Sequence, residues 1–374
     1  MFAVGWGANQ FAAMLLVYRD EDGFSSEAVT ALFGAYAVGL IPALLIVGPI
    51  SDRIGRRVVM RPVLALSVIA TVVLIVSHDH LWILLVGRLL AGVASGAAFA
   101  PGTAWIKELS AARPGGTGAR RATLALSAGF GSGPLVAGVV AQWLPGPTIL
   151  PYVPHLVLIL LVAAVAWNAP EIVTTRVPGA PSRRSEVWLA VRSRPFVLGI
   201  VLTAPWVFGA ASTSFAVLAT FVEIDVAPIA VTGSLAGLAL WTGVGIQPLG
   251  RRLSDPRLII VTGLAAAAGG LAIGAFIAPS DVAWLLVPST ILLGIAYGLI
   301  LVGGLTTVES LAHPDDLGTL NAVFYSLTYI GFSAPLLSTL ALDVLSPTSL
   351  MLVGIGVIVV TAPGVLASGA TRRR

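Results

Sequence analysis

The sequence predicts an all-α membrane protein: twelve transmembrane helices in two pseudo-symmetric six-helix halves. Three observations carry this expectation. First, 57% of the 374 residues are hydrophobic and only 10% are charged. A soluble domain has about a quarter of its residues charged, because it must cover itself with polar surface. Second, the chain contains charge-poor runs at about 2–18, 28–50, 59–77, 81–105, 122–143, 149–168, 196–222, 227–249, 258–278, 282–307, 318–342 and 347–368. Each approximates the ~20 apolar residues that cross a bilayer. Third, the basic residues alternate with these runs.

With Asp52 and Arg53 placed inside and the sides alternated at each span, one side collects Arg53, Arg56, Arg57 and Arg61. It also collects Lys107, Arg113, Arg120 and Arg121, then Arg176, Arg183, Arg184, Arg192 and Arg194, then Arg251, Arg252 and Arg257, then Arg372, Arg373 and Arg374. Of the 21 basic residues only Arg19 and Arg88 fall elsewhere. One missed span would scramble this order, so the positive-inside rule supports twelve helices with both termini cytoplasmic. The longest connection, 169–195, is rich in Pro, Arg and Ser and is expected to be a cytoplasmic linker between halves 1–168 and 196–374.

The halves repeat. Residues 92–109 align without gaps to 294–311, matching at Gly92/Gly294, Ala94/Ala296, Gly96/Gly298, Gly102/Gly304 and Leu109/Leu311. Near the same offset Ser51-Asp52 meets Ser254-Asp255, Pro134 meets Pro335 and Trp6 meets Trp206. Parallel repeats of this kind build secondary transporters.

Composition also excludes. Lys107 is the sole lysine and sits in Trp-Ile-Lys-Glu, so no Gly-Lys-Ser/Thr phosphate loop exists and no nucleotide motor is expected. The absence of cysteine removes disulfides and thiolate chemistry. No catalytic constellation, cofactor motif or nucleic-acid signature stands out, so an enzyme is not expected. Met1 runs straight into apolar residues without a basic flank, which argues against a cleaved signal peptide and places the expected natural start upstream.

Between spans 2 and 3 lies Gly48-Pro49-Ile50-Ser51-Asp52-Arg53-Ile54-Gly55-Arg56-Arg57. This resembles the loop signature of the major facilitator superfamily. Gly48 would let span 2 approach a neighbour, Gly55 would allow a tight turn, and Asp52 could face a helix N-terminus. The resemblance implies that this N-terminus is that of span 11, and that Arg56 pairs with an acid at the inner end of span 4, for which Glu108 is the candidate. The repeat copy, Gly250 to Arg257, is degenerate and expected to be less tightly engaged.

Span 4 carries Arg88 ahead of a small-residue stripe through Gly92 and Gly96, which resembles the family's helix 4 motif, with Ala91 where glutamine is common. A charge that deep is costly unless it is satisfied. Arg88 is either a structural arginine held by backbone carbonyls or a group for substrate or proton coupling. Span 5 carries Gly129, Gly133, Pro134 and Gly138, resembling the family's antiporter motif with Ala137 replacing a glycine. Gly129 and Gly133 form a small face, and Gly233 and Gly237 of span 8 offer a matching one. The motif implies either export or a packing and kink element. No acid lies mid-span, and Asn9 and Gln10 occupy span 1. Proton coupling would then fall to Arg88, to rim acids such as Glu27, Asp52 or Glu108, or to His155, which is otherwise a hydrogen-bonded interfacial residue. His78-Asp79-His80 reads as a solvated outer turn rather than a metal site.

In the family, helices 1, 4, 7 and 10 line the cavity. Substrate contacts are therefore expected at Asn9, Gln10, Tyr36, Arg88, Trp206, Tyr297 and Tyr325, with Trp6, Ser212, Ser214, Phe130, Trp241, Asn321 and Tyr329 as further candidates. Gating is assigned to Gly48, Asp52, Gly55, Arg56 and Glu108. The resemblance implies a monomeric, drug-efflux-like secondary transporter moving a small amphipathic molecule by alternating access, with proton-coupled efflux as the expected mode. The high Ala, Gly, Val and Arg content with a single Lys points to a GC-rich bacterial genome and hence to the bacterial inner membrane. An importer or facilitator on the same fold, and a non-transporting sensor, are the alternatives.

Overall fold

A computed structural model of the chain describes residues 1–77, 79–113, 117–171, 184–313 and 316–369. Residues 172–183 of the expected linker, with Arg176 and Arg183, lie outside the described residues, as do His78 and the tail arginines Arg372, Arg373 and Arg374. Among the described residues ten helices are long and apolar enough to cross a membrane. They are α2 (Ser26–Ile54), α3 (Arg56–Val76), α4 (Leu81–Leu109), α5 (Thr117–Trp143), α7 (Arg194–Thr220), α8 (Pro228–Gly250), α9 (Pro256–Ser280), α10 (Ala283–Leu311), α11 (Leu317–Ala341) and α12 (Pro347–Ala367). A shorter apolar helix, α6 (Leu150–Ala166), fills the sixth place. The first place, α1, is broken into Phe2–Asn9, a 3₁₀ turn Gln10–Ala13, and Met14–Asp20.

Local chemistry sets the ends. Ser25 caps α2, its Oγ accepting from Ala28 N at 3.2 Å, and Ser346 caps α12 ahead of Pro347. Asp255 does the same for α9. The helix surfaces are apolar on the outside: Val165, Val360, Phe276 and Trp82 are exposed, as a lipid-facing surface requires. The break in α1 is the converse case. Gln10, Phe11, Ala12 and Ala13 are all buried, which is where irregular backbone is tolerated in a membrane.

The chain forms two compact units, one of Met1–Thr175 with Asp225–Gly237, the other of Arg176–Ile224 with Leu238–Arg374. In the first, α4 packs on α2 backbone to backbone. A Cβ on Gly92 would strike the carbonyl oxygen of Tyr36, and one on Gly96 that of Leu40. In the second, a Cβ on Gly294 would sit 2.6 Å from Ala239 O, and one on Gly298 would strike Gly243 O, so α10 packs on α8 in the same way. The same correspondence holds elsewhere. Gly129 of α5 lies on the backbone of Phe2 and Trp6 in α1, and Gly331 of α11 lies on the backbone of Pro205 and Gly209 in α7. The aligned pairs Gly92/Gly294 and Gly96/Gly298 therefore do equivalent packing work in each unit.

Candidate functional site

In the first unit the polar residues gather around the break in α1. Asn9 and Gln10 are buried at it, and neither Gln10 Oε1 nor Trp6 Nε1 has a hydrogen-bond partner among the described residues. Two turns into α4, Arg88 is buried, with Nε donating to Leu32 O at 3.1 Å and Nη2 to Phe33 O at 3.2 Å. Its Cζ lies 4.2 Å from the Phe11 ring centroid and 4.9 Å from that of Tyr36. This guanidinium is a cross-brace: carbonyls of α2 take two donors and aromatic faces of α1 and α2 sandwich the charge. Nη1 has no partner among the described residues, which leaves one donor for other work. Nearby on the chain, Tyr18 and Tyr152 join α1 to α6 through their hydroxyls, 2.8 Å apart and buried.

His155 has a structural seat. Thr71 Oγ1 lies 3.0 Å from Ser67 O, to which it donates, and 2.8 Å from His155 Nδ1. The hydroxyl and Nδ1 share one hydrogen bond, whose donor is set by the ring tautomer. Nε2 faces Gly7, where a Cβ would lie 2.5 Å away, so glycine is needed there for the ring to fit.

In the second unit the expected residues sit beside an aromatic stack. Phe208 stacks on Tyr329 at 4.6 Å and on Phe332 at 4.9 Å, and Tyr297 lies tilted 5.6 Å from Phe208. Tyr297 is buried, while Trp206 and Tyr325 are partly exposed, Tyr325 beside Phe324. Ser212 and Ser214 donate to the carbonyls of Gly209 and Ala211 in their own helix, which spends their hydroxyl hydrogens locally. Asn321 Oδ1 has no partner among the described residues.

The loop motif folds into a charged knot. Gly55 has φ +101°, a conformation that favours glycine, and this sharp turn carries α2 into α3. Arg56 then pairs with Asp52 one turn back, donates from Nε to Glu108 Oε1 at 3.1 Å, and reaches Ser51 Oγ at 2.8 Å. The Arg56–Glu108 pair is the one expected from the motif. Gly48 does not serve as expected: a Cβ there would lie 3.5 Å from Ala100 Cβ, ordinary contact rather than an enforced close approach. Sequence reasoning misses Glu171, whose two oxygens accept from Arg56 N at 2.8 Å and Arg57 N at 2.7 Å, capping α3. Trp105 Nε1 donates to Pro170 O at 3.0 Å and Arg61 Nη2 to Trp167 O at 2.7 Å. Residues 167–171, assigned by sequence to span end and linker, thus form a strap bonded to α3 and α4.

In the degenerate copy, Asp255 accepts from Arg257 N at 2.9 Å and pairs with the same residue's Nη2 at 2.8 Å. The hydrogen bond from Arg257 holds its carboxyl below the usual carboxylate range.

The α5 glycines divide their work differently from expectation. Gly129 and Gly133 face α1, not α8, with a Cβ on Gly133 lying 2.6 Å from Trp6 O. The first part of α8 meets α5 one turn further along: Gly138 opposes Gly233, and Gly233 fits against the Pro134 carbonyl. Gln142 Oε1 accepts from Ile229 N at 3.0 Å and Ala230 N at 3.3 Å, satisfying the start of α8 from α5. Asp79 and His80 are exposed and 3.8 Å apart, and no group of three metal-ligating side chains is found among the described residues.

Comparison with known proteins gives three results. The sequence profile described as Major Facilitator Superfamily matches residues 1–335. A protein named triacylglyceride transporter from Mycobacteroides abscessus is 34% identical over 150 residues, 38% of this chain and 28% of that one. A similarly named protein of Mycolicibacterium smegmatis is 34% identical over 123 residues, 32% of this chain and 21% of that one. The matched stretches thus cover less than a third of either relative. Among solved structures, a mutant of the nucleoside transporter NupG superposes with TM-score 0.74 at 12% identity, covering 99% of this chain and 100% of that one. A POT family transporter in complex with 5-aminolevulinic acid gives 0.72 at 11% identity, covering 98% and 94%. At these identities the likeness is one of fold.

Proposed function

The chain belongs to the Major Facilitator Superfamily and is a membrane transporter; from that premise we propose that it expels a small amphipathic molecule across the bacterial inner membrane, coupled to protons, by alternating access. The observation that carries this reading is the buried break in α1, where Asn9 and Gln10 present amide groups inside an otherwise apolar span, Gln10 Oε1 having no hydrogen-bond partner among the described residues. Broken membrane helices that expose polar groups at depth are how transporters of several folds bind cargo. We assign substrate contacts to Asn9, Gln10, Tyr36 and Arg88 in the first unit and to Trp206, Tyr297 and Tyr325 in the second. Aromatic side chains with few polar groups suit an amphipathic cargo. The partial likeness to proteins named triacylglyceride transporters favours the lipid-like end of that class.

The loop knot is proposed as the gate control: Gly55 sets the turn, and Asp52 and Glu108 hold Arg56 from two helices. Gly129, Gly133, Pro134 and Gly138 are proposed to fix α5 for export rather than to bind cargo. Asp52→Asn is expected to slow transport several-fold in everted vesicles loaded with a lipophilic fluorescent dye, while the amount of inserted protein stays unchanged. Wild-type flux from correctly inserted Asp52→Asn would contradict the gate assignment.

A further inference from the structure

The second unit carries a feature outside the residues assigned to the cargo. A short helix, Arg184–Val191, lies immediately before α7. Ser193 fixes it to that helix, donating to Ala190 O at 2.7 Å while its Oγ accepts from Phe196 N at 3.3 Å. One face, Val187, Ala190 and Val191, packs against a cluster that includes Phe196, Leu320 and Phe324, at the start of α7 and of α11. The other face is exposed among the described residues. Trp188 is 58% exposed and Leu189 70% exposed, and the Arg192 guanidinium lies 5.1 Å from the Trp188 ring centroid. Arg194, two residues further on at the start of α7, is also exposed.

This helix sits at the ends of spans, on the side to which the sequence assigns nearly all the arginines. Among the described side chains, an outward face of one tryptophan and one leucine beside two arginines is mismatched to water and to hydrocarbon alike. It fits the boundary between them, where an indole ring lies at headgroup level and an arginine stem runs along apolar surface with its charge at the phosphates. The pairing of Arg192 with Trp188 presents both properties at one point.

We propose that the Trp188–Leu189–Arg192–Arg194 face is seated in the arginine-side leaflet and selects anionic phospholipid. Juxtamembrane basic residues each strengthen attraction to an anionic surface by about five-fold. Arg192 and Arg194 together therefore give this leaflet a preference for phosphatidylglycerol over phosphatidylcholine of an order of magnitude or more. The inference is independent of what the protein carries and in which direction.

The chain has no cysteine, so Leu189→Cys creates a single labelling site. The labelled full-length protein, carrying a polarity-sensitive fluorophore, is placed in phosphatidylcholine nanodiscs with increasing phosphatidylglycerol. Doxyl-labelled lipid quenches from the membrane and iodide from water. The expected result is strong doxyl quenching that rises with phosphatidylglycerol, weak iodide quenching, and loss of the phosphatidylglycerol-dependent part in Arg192→Gln/Arg194→Gln. Iodide quenching without doxyl quenching would overturn the proposal by showing a water-facing helix. Protection from both quenchers would overturn it by showing a protein cover, whether a second copy or another partner. Equal doxyl quenching with and without phosphatidylglycerol would overturn the anionic preference. Trp188→Cys reports the same face if Leu189→Cys does not fold.

Discussion

Removing the Glu171 carboxylate is expected to loosen the start of α3 and little else. In Glu171→Ala two backbone N–H groups at the helix N-terminus lose acceptors at 2.8 and 2.7 Å. Loss of an N-terminal cap costs about 0.5–2 kcal/mol, and loss of a negative charge at that end adds about 0.3–1 kcal/mol. Because Glu171 is only half-buried, water takes over part of the work, and a total of about 2 kcal/mol follows. Glu171→Gln keeps an acceptor oxygen and loses the charge, for about 1 kcal/mol by the same reasoning. At about 1.4 kcal/mol per factor of ten, the Arg56 and Arg57 amides should exchange with deuterium about 30-fold faster in Glu171→Ala if they exchange by local opening. Amides in the middle of α4 should be unaffected.

The same geometry makes a second, coupled statement. A Cβ on Gly55 would lie 3.1 Å from the Glu171 carboxyl carbon, on a backbone with φ +101°. Gly55→Ala therefore carries both strain, about 1–3 kcal/mol, and a contact with Glu171 that disappears in the Glu171→Ala background. The two substitutions should cost less together than the sum of their separate costs. Unchanged exchange at Arg56 and Arg57 in Glu171→Ala, or strict additivity with Gly55→Ala, would refute this reading of the strap.

Three other perturbations follow from the packing and charges. Gly92→Leu and Gly294→Leu should each abolish folded protein, because a backbone carbonyl cannot yield as a side chain can, whereas Gly48→Ala should be tolerated; yield of monodisperse protein in detergent checks all three. Arg88→Met should hold thermal stability within about 2 kcal/mol, since removing a buried charge recovers its desolvation cost, yet should cut transport at least about ten-fold if Nη1 serves the cargo. Retained flux in a folded Arg88→Met would reduce Arg88 to its brace. Asp255→Asn keeps a capping side chain but loses the ion pair with Arg257. Since the folded carboxyl titrates below its unfolded value, the stabilisation it contributes is full above the unfolded value near about 4. It is lost as pH falls through the lower folded value, so wild type and Asp255→Asn should differ in melting temperature at neutral pH and converge in acid.

Much of the fold is legible in the sequence because a bilayer leaves few solutions: the length and spacing of the apolar runs determine the spans and their order. The repeat is readable too, since Gly92/Gly294 and Gly96/Gly298 align for a physical reason, backbone contact between paired helices. Partner choice is less legible. A small-residue stripe announces a close contact without saying with what, so sequence matching pairs Gly129 and Gly133 with α8 although they lie on α1. Hydropathy is equally blind to backbone irregularity, and the run at 2–18 gives no warning of the 3₁₀ turn at Gln10. Arg56–Glu108 is found because a motif places both partners. Glu171 escapes notice because it follows a Pro-containing span end that composition assigns to linker, and a carboxylate that caps backbone N–H groups needs no charged partner to mark it. Phe208 is passed over because a phenylalanine in an apolar span carries no signal before its ring neighbours are known.

The proposed activity is outward movement of an amphipathic cargo driven by a proton gradient. Its most direct test uses purified protein in liposomes with an imposed pH gradient, following internal pH while a panel of amphipathic compounds, lipid-like ones included, is added. The account predicts proton movement that depends on both compound and protein and is diminished in Asp52→Asn. Cargo crossing with no accompanying proton movement would contradict it and leave a facilitator on the same fold.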